Sequence, residues 1–379
     1  MADKRLSLYM HVPFCKSKCG YCDFNSFPGK ERLVPDYFEA LKREIGYYSK
    51  KLAGYKIKTL FIGGGTPSYV DARYIYETVN FLRQNAEMEE GAEITIESNP
   101  GTLTYEKLLA YRDIGVNRLS IGLQSYQDHI LKKLGRIHTA EEFAENFKLV
   151  KKAGFRNVNV DLMFGIPGQN RGEWAHTLSK TIELRVPHIS CYSLKIEEES
   201  LFGKLVKEGG LTPADEETDR DMYRLAVGKL EKSGFTHYEI SNFSIPGFEC
   251  RHNLVYWRAE SYIGLGAGAH SYFMGKRYNN IYSVEKYMES VSEEGVPEEN
   301  VEEIGKREEM SEYMMLGFRL VEGISGFEFK RRFGEDLFSV YGAELERLQK
   351  RHLVELSGDG VRLTDLGLDL ANQVFMEFV

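Results

Sequence analysis

The chain has 379 residues, enough for one large or two linked domains, and its 42% apolar and 28% charged residues describe an ordinary soluble protein with a sizeable core. Lys and Arg number 49 against 57 Asp and Glu, and the resulting net charge of −8 offers little generic attraction to nucleic-acid phosphates. The five cysteines, Cys15, Cys19, Cys22, Cys191 and Cys250, are too few and too unevenly spaced for a secreted disulfide scaffold.

Residues 1–14 contain no long apolar run or cleavage site, and no stretch reaches the roughly 18 apolar residues of a membrane span, so a cytoplasmic protein is expected. Short apolar runs predict strands at Leu6–Val12, Lys58–Ile62, Glu93–Glu97, Arg118–Gly122, Asn157–Met163 and His188–Leu194. Helical periodicity lies between them, at Pro35–Leu52, Ala72–Asn85, Thr139–Ala153 and Glu173–Leu184. Six βα units in series predict an α/β fold, a partial (βα)6 barrel with its site at the C-terminal strand ends. Polar or glycine-rich positions follow five of these strands: Cys15–Cys22, Gly63–Pro67, Asn99–Gly101, Gln124 and Gly165–Gly168. Residues 1–235 form this barrel in our reading, and 236–300 an extension comprising a strand at Thr236–Ile240, a loop at Ser241–Tyr272 and an acidic helical connection over 280–306. Within it, Gly264–Ala269 fits G-x-G-x-x-G/A, but the extended His270–Gly275 that follows argues for a glycine-rich turn at the barrel mouth rather than a dinucleotide site.

Residues 301–379 read as helix, turn, two helices, a hairpin at Leu353–Leu363 and a last helix from Thr364, an α+β winged-helix-like domain. With 10 Lys and Arg against 16 Asp and Glu, this domain is a poor holder of phosphates, and no nucleic-acid partner is expected.

Cys15-Lys-Ser-Lys-Cys19-Gly-Tyr-Cys22 is a C-x3-C-x2-C loop directly after a strand. Three thiolates at this spacing suit three irons of a [4Fe–4S] cluster and leave a fourth iron for another ligand. A zinc site completed by His11 is the competing reading, and would accompany a zinc-stapled winged-helix protein. Cys191 and Cys250 are isolated and read as buried thiols.

The run Tyr9-Met-His-Val-Pro-Phe-Cys15 through Cys22-Asp-Phe-Asn resembles the opening of radical S-adenosylmethionine (SAM) enzymes of the coproporphyrinogen dehydrogenase-like family. The resemblance continues through Gly63–Ser68, Glu93–Gly101, Arg118–Ser125, Leu134–His138, Asp161–Gly168 and Tyr238–Phe243, and so covers nearly the whole chain. The dehydrogenases carry a further cysteine two residues after the third, where this chain has Phe24; Phe24 and His252-Asn-Leu-Val-Tyr-Trp257 instead match the family's heme-chaperone branch. Oxygen-independent coproporphyrinogen III dehydrogenase is thus the alternative activity, with Phe24 against it.

The resemblance implies that Cys15, Cys19 and Cys22 hold a [4Fe–4S] cluster whose open iron takes SAM, and that reduction of the cluster can release a 5′-deoxyadenosyl radical. It implies that Tyr9, Gly64, Gly65, Thr66 and Glu97 line the SAM pocket, with Gln124, Arg136 and Asp161 at further SAM-contacting positions. It makes His252 a candidate axial heme ligand, with Tyr256 and Trp257 packing against the porphyrin. Respiratory hemoproteins as heme acceptors, an electron donor, a homodimer and peripheral membrane association also follow from the resemblance alone.

Overall fold

The computed structural model describes residues 4–292 and 297–379. Six parallel strands form its centre: β1 (Lys4–Val12), β2 (Tyr55–Gly64), β3 (Glu87–Ser98), β4 (Arg118–Gln124), β5 (Asn157–Phe164) and β6 (His188–Ser193). They lie side by side in chain order, as right-handed βα crossovers produce. Helices α1 (Val34–Leu52), α2 (Ala72–Asn85), α3 (Tyr105–Asp113), α4 (Asp128–Leu134), α5 (Ala140–Lys152) and α6 (Arg171–Glu183) make the crossovers. All seven residues of β4 are buried, which is why it reads as a continuous run rather than an alternation. Asp71, Thr104, Thr139 and Asn170 cap the helices that follow them, and Thr139–Glu142 and Asn170–Glu173 are capping boxes.

The predicted barrel is present, and it is open: the twelve-stranded sheet does not close on itself. One edge carries the hairpin-like pair β7 (Thr236–Glu239) and β8 (Asn242–Ser244), with β8 antiparallel to β6. Beyond β1 come β9 (Tyr262–Leu265), parallel to it, and then the antiparallel strands β10 (His270–Phe273), β11 (Lys276–Asn280) and β12 (Glu298–Glu303).

Two expectations fail here. The loop expected over Ser241–Tyr272 contains β8, β9 and a helix, α7 (Arg251–Trp257). Its signal is hidden because the buried Glu93 carboxylate of β3, not a local side chain, accepts from the first backbone amides, Arg251 N at 3.1 Å and His252 N at 3.0 Å. The acidic stretch expected to be helical contains α8 (Val284–Ser292) and then β12, whose glutamates other than the half-buried Glu298 face solvent on an outer strand, where charge discourages further pairing; residues 293–296 of that stretch lie outside the described residues. The glycine-rich motif is the turn between β9 and β10, as expected, with Gly266 and Gly268 at φ +96° and +73°.

The barrel core incorporates Ile263, Leu265, Phe273, Tyr278 and Tyr287 from the extension. A separate core, from Met310 to Phe378, belongs to the helices, hairpin and terminal turns that follow. The two parts are joined by backbone bonds: Ile240 N donates to Arg319 O (3.0 Å) and Val321 N to Tyr238 O (3.1 Å). A smaller cluster of Ile130, Leu134, Met163, Ile166, Leu194 and Phe202 sits against Tyr21 of the cysteine loop.

Candidate functional site

The cysteine loop leaves β1 and is tied to the neighbouring strand end by backbone bonds, Gly65 N to Val12 O (2.9 Å) and Thr66 N to Phe14 O (2.8 Å). Its middle is held from the other side by Gly20 N to Leu134 O (3.0 Å) and Phe202 N to Gly20 O (2.8 Å). A Cβ at Gly20 would meet the Phe202 ring at 2.5 Å, so the loop depends on glycine there. Cys15 is buried, and Cys19 and Cys22 are half-buried.

All three thiols line one cavity of about 380 Å³ at the C-terminal strand ends. Gly64, Gly65, Thr66, Glu97, Gln124, Arg136 and Asp161 line the same cavity. The structure therefore brings together every residue expected around the cysteines except Tyr9, which lines an adjoining cavity described below.

A hydrogen-bonded chain links two of the cysteines. Thr66 Oγ1 lies 3.4 Å from Cys15 Sγ and accepts from Asn99 Nδ2 at 3.0 Å. Asn99 Oδ1 accepts from Arg136 Nη2 at 2.5 Å, and Arg136 Nη1 points at Cys19 Sγ at 3.7 Å. Arg136 also donates to Gly122 O at 2.7 Å, while its Nε is buried without a partner among the described residues. Asn99 was visible in the sequence only as a rim position. Burial pushes the Cys15 and Cys22 thiols up, against hydrogen bonds from Thr66 and Ser26.

The glycines of the β2 end have partners inside the protein. Gly64 sits at φ +113°, and a Cβ on it would meet the His11 ring at 2.5 Å; a Cβ on Gly65 would meet Phe14 O at 2.8 Å and Cys15 Sγ at 3.0 Å. They are required for the cysteine loop to pack, before any ligand is considered. Gln124 is a non-glycine residue at φ +70°, a strained backbone at the cavity floor.

Four acidic residues line this cavity, Asp23, Glu97, Asp161 and Glu197, and two of them, Glu97 and Asp161, stand on the central strands. Glu97 Oε2 accepts from Gly64 N at 3.1 Å, and burial, with the nearby Asp161 charge, pushes its carboxyl up to about 8. Asp161 accepts from Ser120 Oγ and Asn159 Nδ2, both at 2.8 Å. The donor set fits the two groups that the sequence leads one to expect. Separate thiols along one wall, with a buried guanidinium beside them, suit the corners of an anionic iron–sulfur cube; paired carboxyls suit a ligand carrying a sulfonium and an ammonium. Among the described residues no three His, Cys, Asp or Glu converge on a single ion-sized point. His11 does not complete a Cys3His set: its Nε2 donates to Asn25 O (2.8 Å) and its Nδ1 accepts from Tyr9 Oη (2.9 Å).

A second cavity of about 390 Å³ shares Phe24, Gly64 and Glu97 with the first. Tyr9, His11, Tyr256, Tyr262, His270 and Tyr282 supply further rings to its walls, beside Asn25 and Gly268. His252, Tyr256 and Trp257 part company here. Tyr256 lines the cavity, packed edge-on against Tyr262 at 4.7 Å. His252 lies behind it, 1% exposed and stacked on Phe61. Thr59 Oγ1 donates to Ser7 and so accepts from His252 Nδ1 (2.7 Å), which leaves His252 Nε2 to accept from Tyr256 Oη (2.8 Å). Trp257 turns away to Arg319, whose guanidinium lies 4.3 Å from the indole centroid. Phe24, Tyr262, His270 and Tyr282 were not singled out as contact residues from the sequence; the glycine-rich turn before His270 and the exposed position of Phe24 are the signals that mark them.

Residues 9–180 match the model of the radical SAM superfamily, and residues 304–370 that of the HemN C-terminal domain. The chain is 36% identical to the heme chaperone HemW of Bacillus subtilis over 98% of its own length and 99% of that protein. To the heme chaperone HemW of Escherichia coli it is 41% identical over 70% of this chain and 69% of that one. Among solved structures, coproporphyrinogen III oxidase (HemN) from Escherichia coli, a radical SAM enzyme, superposes with a TM-score of 0.87 at 24% identity, over 99% of this chain and 90% of that one. That likeness establishes the fold.

Proposed function

This chain belongs to the HemW heme-chaperone family of the radical SAM superfamily, and on that footing we propose that it binds heme, a [4Fe–4S] cluster and SAM and passes heme to respiratory hemoproteins. The observation that carries the reading is the pairing of two cavities across one wall, the first lined by three thiols and by Glu97 and Asp161 among its four acidic residues, the second largely by aromatic rings.

Cys15, Cys19 and Cys22 would each hold one iron as thiolates, and Arg136 would offset the charge that accumulates on the sulfurs. Gly64, Gly65, Thr66, Glu97, Gln124 and Asp161 would line the SAM site, with Glu97 held beside Gly64 by its hydrogen bond to Gly64 N. A bound cluster and SAM supply one-electron cleavage of the sulfonium C–S bond, given an external electron donor. What the protein contributes is orientation, countercharge and partial exclusion of water. On the heme side, Tyr256 is assigned to the ring face, Tyr9 to the lining of the second cavity and His252 to holding Tyr256 in place; Trp257 serves the junction with the C-terminal domain.

No helix among the described residues is long and apolar enough to cross a membrane. We assign the protein to the cytoplasm, working as a homodimer at a membrane face where its acceptors reside. Residues 1–235, 236–300 and 301–379 are taken as its barrel, heme-side extension and C-terminal domain.

Anaerobic reconstitution tests this directly. One four-iron cluster per chain is expected, lost in Cys19→Ala, together with saturable hemin binding and no conversion of coproporphyrinogen III in the presence of SAM and reductant. Formation of protoporphyrinogen would instead make the protein a coproporphyrinogen dehydrogenase, and absence of hemin binding would end the chaperone reading.

A further inference from the structure

Of the histidines near the second cavity, His11 and His252 have both ring nitrogens engaged within the protein, at 2.7–2.9 Å. Ligation of iron by either would leave a buried hydrogen-bonding partner unsatisfied. His270 differs in every respect that matters. It stands at the first position of β10, is exposed, and lines the cavity. Its Nε2 lies 3.0 Å from Tyr282 Oη, and its Nδ1 has no protein partner among the described residues.

The backbone around it is built for this placement. Gly264 allows β10 to approach β9, since a Cβ there would come 2.2 Å from His270 O. Gly268, at φ +73°, would drive a Cβ to 2.5 Å from Asn25 and 3.0 Å from the Tyr282 ring. Burial and the Arg277 charge hold the His270 imidazole below its ordinary value, so it is neutral at pH 7 and its lone pair is available. The same cavity is lined by Phe24, an apolar ring left 62% exposed, and Tyr282, hydrogen-bonded to His270, is 47% exposed. Exposed rings of this size around a concave site mark a missing flat apolar partner.

We propose that His270 is the protein ligand to heme iron, with Phe24 and Tyr282 flanking the porphyrin. The assignment rests on the heme-binding reading above. An iron-ligating imidazole commonly donates its other N–H to an oxygen that fixes the ring, and Tyr282 Oη is in place to accept it. His252 then acts through Tyr256 as a positioning residue.

The test is hemin titration into the full-length, cluster-loaded protein, followed by the Soret band and by ferric EPR. His270→Ala is expected to weaken hemin at least tenfold and to change the Soret position and axial signature, with added imidazole restoring the signature. His252→Gln is expected to keep the wild-type axial signature. As a measurement on the unmutated chain, hemin should protect His270 from diethyl pyrocarbonate, read by mass spectrometry. A His270→Ala protein with wild-type affinity and spectrum, or labelling of His270 unaffected by hemin, overturns the assignment while the chaperone reading stands. If the wild-type chain shows no saturable binding, both fall.

Discussion

Glu97 shows how one side chain sets the conditions under which its cavity can be filled. With its carboxyl pushed up to about 8 by burial and by Asp161, it is protonated at neutral pH when no cation is beside it. A sulfonium or ammonium group entering the cavity favours the carboxylate, so SAM binding at pH 7 should release a proton, whereas above pH 8 it should not. Affinity should therefore rise with pH up to about 8 and level off beyond it. Calorimetry at pH 7 in two buffers of different protonation enthalpy should give unequal heats, and Glu97→Gln should make them equal; equal heats for the wild type would exclude this coupling. Gly65 poses a steric question instead. Its Cβ would press on Phe14 O and N, which are backbone atoms, and on Cys15 Sγ, so Gly65→Ala should cost about 1–3 kcal/mol and lower cluster occupancy. Iron per chain after reconstitution, beside a urea unfolding curve, checks both; unchanged occupancy would show that the loop has slack.

At the scale of the element, α7 shows why part of the site was illegible in the sequence. The barrel strands announce themselves as apolar runs, and the cysteine loop by its spacing, because those signals are local. The start of α7 is held by Glu93 from β3, and its end by Arg332 from the C-terminal domain, which donates to Arg258 O (3.0 Å) and Ala259 O (2.6 Å). Ala259 takes φ +47°, a conformation usually left to glycine at a helix end. Neither signal lies within the helix, so His252–Trp257 could be recognised as a motif but not placed. The separation of Tyr256 at the cavity from His252 behind it and Trp257 at the domain junction likewise depends on helix orientation, which tertiary contacts decide. Arg332→Ala should destabilise by about 1–3 kcal/mol and loosen α7. Hydrogen exchange should rise at 251–259 while β1–β6 stay protected; uniform exchange across the chain would refute so local a role.

For the whole molecule, fold and family were legible because several glycine-rich strand ends occur in register, each at a rim position. The acidic C-terminal part proved to be more than an appendage: it binds the barrel through backbone bonds at Ile240 and Val321 and reaches α7 through Arg332. Of the outer strands beyond β9, β10 was legible as the extended run from His270, whereas β11 and β12 were not, since charged segments carry no strand period.

The wall formed by Phe24, Gly64 and Glu97 belongs to both cavities at once, and a common boundary has a thermodynamic consequence. Whatever one occupant does to that boundary must appear in the affinity of the other, by the same factor in each direction. A ligand in the first cavity removes the free space on one side of Phe24 and presents its ring to the second. SAM should therefore tighten hemin by about fivefold or more, and hemin should tighten SAM equally. Titrating each ligand with the other absent and saturating closes the cycle; two affinities that ignore one another would mean the wall is rigid. In a linked pair, release of heme to an acceptor need not be driven from the heme side: departure of SAM would loosen the cargo.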